Sequence, residues 1–70
     1  SVSTLSANKL EIEKTKVDLL KMYYSLGKYV STKNYNENIS DFSYDEEYIS
    51  VNKKINKLKS YIEKIKSKID

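Results

Sequence analysis

No cysteine and no histidine occur among the 70 residues, and there is no proline, no arginine and a single glycine, Gly27. Without Cys or His, disulfides are excluded and a transition-metal site would have to rest on carboxylates alone. The Cys–His and Ser–His pairs of nucleophilic catalysis are missing as well, and no Ser stands with a base in a recognisable frame. That argues against an enzyme. No run approaches the ~20 consecutive apolar residues of a membrane span, and Ser1 to Ala7 carries neither the charged nor the apolar part of a secretory signal. A soluble, cytoplasmic chain with no cofactor and no metal is the expectation. An opening Ser in place of Met is what a trimmed or processed piece of a longer product would show.

Lys, Glu, Leu and Ile recur throughout, and with almost no Gly or Pro to punctuate them this is the composition of long helices. The clearest signal lies in the second half. Tyr48, Ile55, Ile62 and Ile69 fall one heptad apart at position a, and Val51, Leu58 and Ile65 occupy d, with Lys, Ser, Asn and Glu elsewhere. Ser43 and Glu46 fit a capping box, so the second helix is predicted over 44–69. Asp45, Glu46 and Glu47 then sit at its positive end, and Lys64, Lys66 and Lys68 at its negative end.

The first half repeats the pattern less cleanly. Leu5, Ile12, Leu19 and Leu26 lie at a, and Asn8, Thr15, Met22 and Tyr29 at d. A helix over 4–31 is expected, capped by Ser3. Residues 32–43 are rich in side chains that bond their own backbone and read as a loop, with Ile39 and Phe42 folding back as apolar plugs. Two helices of similar length joined by a polar loop imply an all-α antiparallel hairpin. Its seam comprises Leu5, Ile12, Leu19, Met22, Leu26, Tyr29, Tyr48, Val51, Ile55, Leu58, Ile62, Ile65 and Ile69. Pairing symmetric about the loop sets Leu5 beside Ile69 and Ile12 between Ile62 and Ile65. The rival is a parallel trimer, favoured by Ile at both a and d, in which the second helix zips with copies of itself.

Leu10, Val17, Leu20, Tyr24 and Gly27 form a further stripe that the hairpin does not need. A domain of this size sits near the lower limit for folding alone, and with disulfides and transition metals excluded, oligomerisation is the remaining helper. The stripe is therefore assigned to a homodimer, two copies meeting across a two-fold axis. Gly27 would permit close backbone approach there; the plainer alternative is a local helix end at Gly27.

Charge is uneven. Residues 1–33 carry six Lys and three acids, 34–48 five acids and no Lys, and 49–70 seven Lys and two acids. Across the seam Glu11 and Asp18 face Lys68, Tyr61 and Lys54, whereas Lys9 and Lys16 face Lys66 and Lys59. The latter four are either a solvated face or a flank for an acidic protein partner. Lysine-rich helices can also track phosphates or lie on anionic lipid. No Arg and no base-reading motif is present, and the narrow apolar strip suits a helix better than a bilayer, so nucleic acid and membrane are disfavoured as partners. Tyr23, Tyr24, Tyr29, Tyr44, Tyr48 and Phe42 gather near the loop, where core packing outweighs a stacking platform as the reading. Glu37, Asp41, Asp45, Glu46 and Glu47 lack the spacing and the glycine of a calcium loop.

The segment Lys21-Met-Tyr-Tyr-Ser-Leu-Gly-Lys-Tyr29 resembles the first helix of small uncharacterised proteins from low-GC Gram-positive bacteria, in which aromatic-x-x-Leu/Ile-Gly-Lys precedes an acidic loop and a second heptad helix. The abundance of Lys, Asn, Ile and Tyr is similar to that of proteins from AT-rich genomes. The resemblance implies a helical hairpin used as a module and no activity. Many of those proteins carry a zinc ribbon nearby; with no Cys here, zinc binding is not implied. The expected function is a non-enzymatic interaction or oligomerisation module, with a lysine-rich phosphate-binding module as the alternative.

Overall fold

The computed structural model describes residues 2–69, with side chains from residue 4 onward. Two helices, α1 (Val2–Glu37) and α2 (Glu46–Ile69), pack against each other, and no strand occurs among the described residues. The Tyr61 hydroxyl donates to Glu11 Oε1 at 3.2 Å near one end, and the Tyr29 hydroxyl donates to Asp45 near the other. The helices therefore run antiparallel within one chain, as a hairpin requires.

The seam follows from the heptads. Ile12, Ile62 and Ile65 form one buried cluster with Leu19 and Ile69 packed on it, and Val51 and Ile55 continue the buried row toward the loop. Ile12 thus meets the two neighbours that symmetric pairing assigns to it. Thr15 is buried in the same row, its hydroxyl donating to the Glu11 carbonyl at 2.8 Å so that no polar atom is stranded. Leu26, Met22, Leu58, Tyr29 and Tyr48 are half-buried. Two helices touch along one line only, so their flanks stay wet. At the open end Leu5 remains 38% exposed, so the seam is looser there than a sealed Leu5–Ile69 layer would be.

The helix ends correct the sequence reading. The first helix does not stop at Ser31 but runs to Glu37. Lys33 reaches Glu37 at 2.9 Å, one turn on, and its ammonium lies 5.7 Å from the centre of the Tyr29 ring. Those contacts outweigh the turn preference of Thr32, Asn34 and Asn36. Termination falls to Asn38, whose φ of 57° is the left-handed conformation that ends helices and that Asn tolerates. Its N–H donates to the Asn34 carbonyl at 3.0 Å, and the Asn34 amide donates to the Ile39 carbonyl at 3.2 Å. Gly27 lies inside continuous helix, so it is not a helix end. At the other terminus Ser3, the expected cap, has helical backbone instead; its side chain lies outside the described residues.

The second helix starts at Glu46, not Tyr44, and its cap is Asp45 and not Ser43. Asp45 Oδ1 accepts the Tyr48 N–H at 2.8 Å, while the Asp45 carbonyl accepts the Ile49 N–H at 3.0 Å. Ser43 is engaged elsewhere: both its N–H and its hydroxyl donate to Asp41 Oδ1, at 3.0 and 2.6 Å. The connection accordingly spans residues 38–45 instead of 32–43. The helices are unequal, 36 residues against 24. Phe42 is buried between the Tyr29 ring, edge-on at 6.2 Å, and the Tyr48 ring, stacked at 5.5 Å, and Ile39 is half-buried. Of the aromatic side chains expected at this end these three converge; Tyr23, Tyr24 and Tyr44 are exposed.

Candidate interaction surfaces

Helical periodicity separates α1 into two faces. Residues at the seam spacing turn toward α2, and those roughly half a turn away turn outward. Leu10, Val17, Leu20 and Tyr24 are 63%, 51%, 67% and 72% exposed, and Gly27 is exposed beside them. They keep their own heptad: Leu10, Val17 and Tyr24 are seven apart, with Glu13, Leu20 and Gly27 three residues after each. A Cβ placed on Gly27 would meet nothing within 4 Å, so the glycine is not demanded by packing inside the hairpin.

Because α1 runs to Glu37, Tyr35 becomes part of this face. It stands seven residues after Lys28, at the edge of the strip, and is 87% exposed. Sequence reasoning placed Tyr35 in a loop and missed it; the signal that would have found it is the Lys33–Glu37 spacing, which supports a further helical turn.

Lysines border the strip on both sides. Lys9 and Lys16 run along one edge and Lys14, Lys21 and Lys28 along the other, all exposed. Among the described residues, Lys16 alone of these five has an ion pair, to Glu13 on the strip at 3.4 Å.

The seam flanks form two shallow grooves. Lys16, Lys59 and Lys66 line one of about 260 Å³ together with Leu19, Ile62 and Glu63, which brings together three of the four expected flank lysines and leaves Lys9 outside. Lys66 pairs with Glu63 at 3.6 Å, so with Lys16 on Glu13 part of that positive charge is offset by neighbours on the same helix. The opposite groove, about 330 Å³, is lined by Asp18, Lys21, Met22, Lys54, Lys57 and Leu58. The cross-seam partner of Glu11 is the Tyr61 hydroxyl, and this bond raises the pKa of that phenol.

The loop end is locked by hydrogen bonds. The Asp45 carboxyl is held below its ordinary pKa, first by the Tyr48 N–H and next by the Tyr29 hydroxyl, while Tyr29 is raised by the same contact. Lys33 is raised by its bond to Glu37. None of these groups faces an enclosed cavity, and among the described residues no group of His, Cys, Asp and Glu could hold a metal ion.

The chain matches no known family model, no curated protein and no solved structure. No helix of the described residues is long and apolar enough to cross a membrane.

Proposed function

We propose that the chain is a protein–protein interaction module that presents the outward face of α1 to a partner helix. The observation that carries this is the exposed row Leu10, Val17, Leu20 and Tyr24, which has the 3–4 spacing of a helix seam and no covering element among the described residues. Apolar residues scattered singly on a surface need no explanation. A heptad-spaced line of them, back to back with a second such line that is occupied by α2, does. Side chains recurring on one helix face fit grooves between residues of another helix, the arrangement already used on the seam side.

Leu20→Asp tests the reading, because Leu20 is exposed and its replacement leaves the seam untouched. Affinity capture and light scattering on the parent and variant chains are expected to show associations that Leu20→Asp removes while the helical circular dichroism stays unchanged. Identical behaviour of the two chains in both assays would refute it.

A second reading, phosphate binding, is supported by one observation: Lys21, Lys54 and Lys57 converge on the groove beside Met22 and Leu58, with Asp18 as its one acid. It predicts a mobility shift with nucleic acid that fades steeply as salt is added; no shift at low salt ends it.

A further inference from the structure

A strip spanning residues 9–28 is ~28 Å long and one helix wide, ~10 Å. That is small beside the ~800 Å² per partner of stable complexes. Apolar burial alone gives weak, unselective docking over such an area, and the charges along its edges decide what settles there.

Those edges have one sign. Lys9, Lys14, Lys16, Lys21 and Lys28 flank the row, and the single acid on the strip is Glu13, in the row itself. A second copy of the chain would set lysine edges against lysine edges, whichever way the two ran. An anionic lipid surface would draw the lysines but press the Glu13 carboxylate, which lies within the apolar row, against like charge. A helix whose own apolar row is bordered by Glu or Asp satisfies both lysine edges at once, and a single basic residue within its apolar row would meet Glu13.

Resting on the interaction reading above, we infer that the outward strip of α1 docks an acidic amphipathic helix: an apolar 3–4 row, carboxylates on both flanks, and one basic residue opposite Glu13. Lysine stems lie along the partner's apolar edge while their ammonium groups reach its carboxylates. Exposed pairs of this kind set orientation and partner choice more than raw affinity, and they weaken with salt, because the screening length falls from ~10 Å at 0.1 M to ~3 Å at 1 M.

The test uses the whole chain and two designed peptides about three heptads long. Both carry Leu in the core row with one Lys opposite Glu13; one has Glu on both flanks, the other Lys. Fluorescence anisotropy should show the Glu-flanked peptide binding at least ~10-fold tighter than the Lys-flanked one, as expected where like charges oppose docking. Binding should decline with added salt, disappear in Leu20→Asp and drop several-fold in Lys14→Glu/Lys21→Glu, with helicity retained in both variants. Equal affinity for the two peptides, or none for the Glu-flanked one, overturns the inference. Should the chain alone instead dimerise through Leu20, more tightly as salt rises, the occupant is a second copy: the inference falls and the interaction reading stands. Should neither peptide bind, no dimer form, and phosphatidylglycerol vesicles take up the chain in a Leu20-dependent way, both fall.

Discussion

The Tyr29 hydroxyl lies 3.0 and 2.8 Å from the two carboxylate oxygens of Asp45, so one O–H from α1 is held by the residue that caps α2. The bond favours the ionised carboxyl and the neutral phenol together, which gives the hairpin a pH window. Asp45 is lowered, so its contribution is complete above the unfolded value of ~4 and is lost as pH falls through the folded one. Tyr29 is raised, so its contribution is complete below ~10 and is lost as pH rises through the folded value. Melting temperature should fall at both extremes. Asp45→Asn should flatten the acid limb, leaving the slope from Asp41, which is lowered by the Ser43 hydroxyl and then its amide. An acid limb identical in the variant would show that neither the Tyr48 amide nor the Tyr29 hydroxyl holds the carboxylate in solution.

Two alanine variants locate the start of α2. Asp45→Ala removes the acceptor of both the Tyr48 N–H and the Tyr29 O–H, whereas Ser43→Ala removes one donor to Asp41 in an exposed turn. Asp45→Ala is expected to lower the melting temperature clearly more than Ser43→Ala at neutral pH, with Asp45→Asn closer to the parent than Asp45→Ala because Asn also caps helices. The opposite order would return the cap to Ser43.

Gly27→Ala should stabilise the free chain by about 1 kcal/mol in urea unfolding, since the position is helical and a methyl group there meets open space. The same substitution adds bulk to the outward strip, so a partner that approaches the backbone closely at Gly27 binds the variant less tightly. A loss of stability in the isolated chain would mean that α1 is not continuous at this point.

Thr15 is 4% exposed in an otherwise apolar row, with its hydroxyl returned to the Glu11 carbonyl of its own helix. Thr15→Val exchanges a hydroxyl for a methyl of nearly the same shape and leaves a carbonyl that α1 itself bonds. A gain of ~0.5–1 kcal/mol is expected, on the scale of one buried methyl group, read as a higher urea midpoint at unchanged slope. A lower midpoint would place Thr15 away from the seam.

The seam was legible in the sequence because a two-helix contact repeats every heptad, so errors at single positions average out. Ile12 among Ile62 and Ile65 follows from periodicity and the symmetry of a hairpin. The ends were harder, because each is decided by one or two local bonds. Residues 32–37 have turn-forming composition, yet the Lys33–Glu37 pair carries the helix on. Ser43 and Asp45 both have the chemistry of a cap, and what separates them is a tertiary contact, the Tyr29 hydroxyl, that no local pattern contains. The error in the first boundary hid Tyr35 from the outward strip. That strip was visible as a repeat of apolar residues; its two lysine borders emerge only when the wheel of α1 is oriented by the position of α2.

The inequality of the two helices has a mechanical consequence. The molecule measures 53 Å along its axis, which is the span of α1 by itself. The shorter helix stiffens the longer one over part of that distance and leaves its far side bare. Reach and rigidity are thereby assigned to different segments: lengthening or trimming α2 would alter how firmly the rod is braced, without changing the track along which another protein could lie.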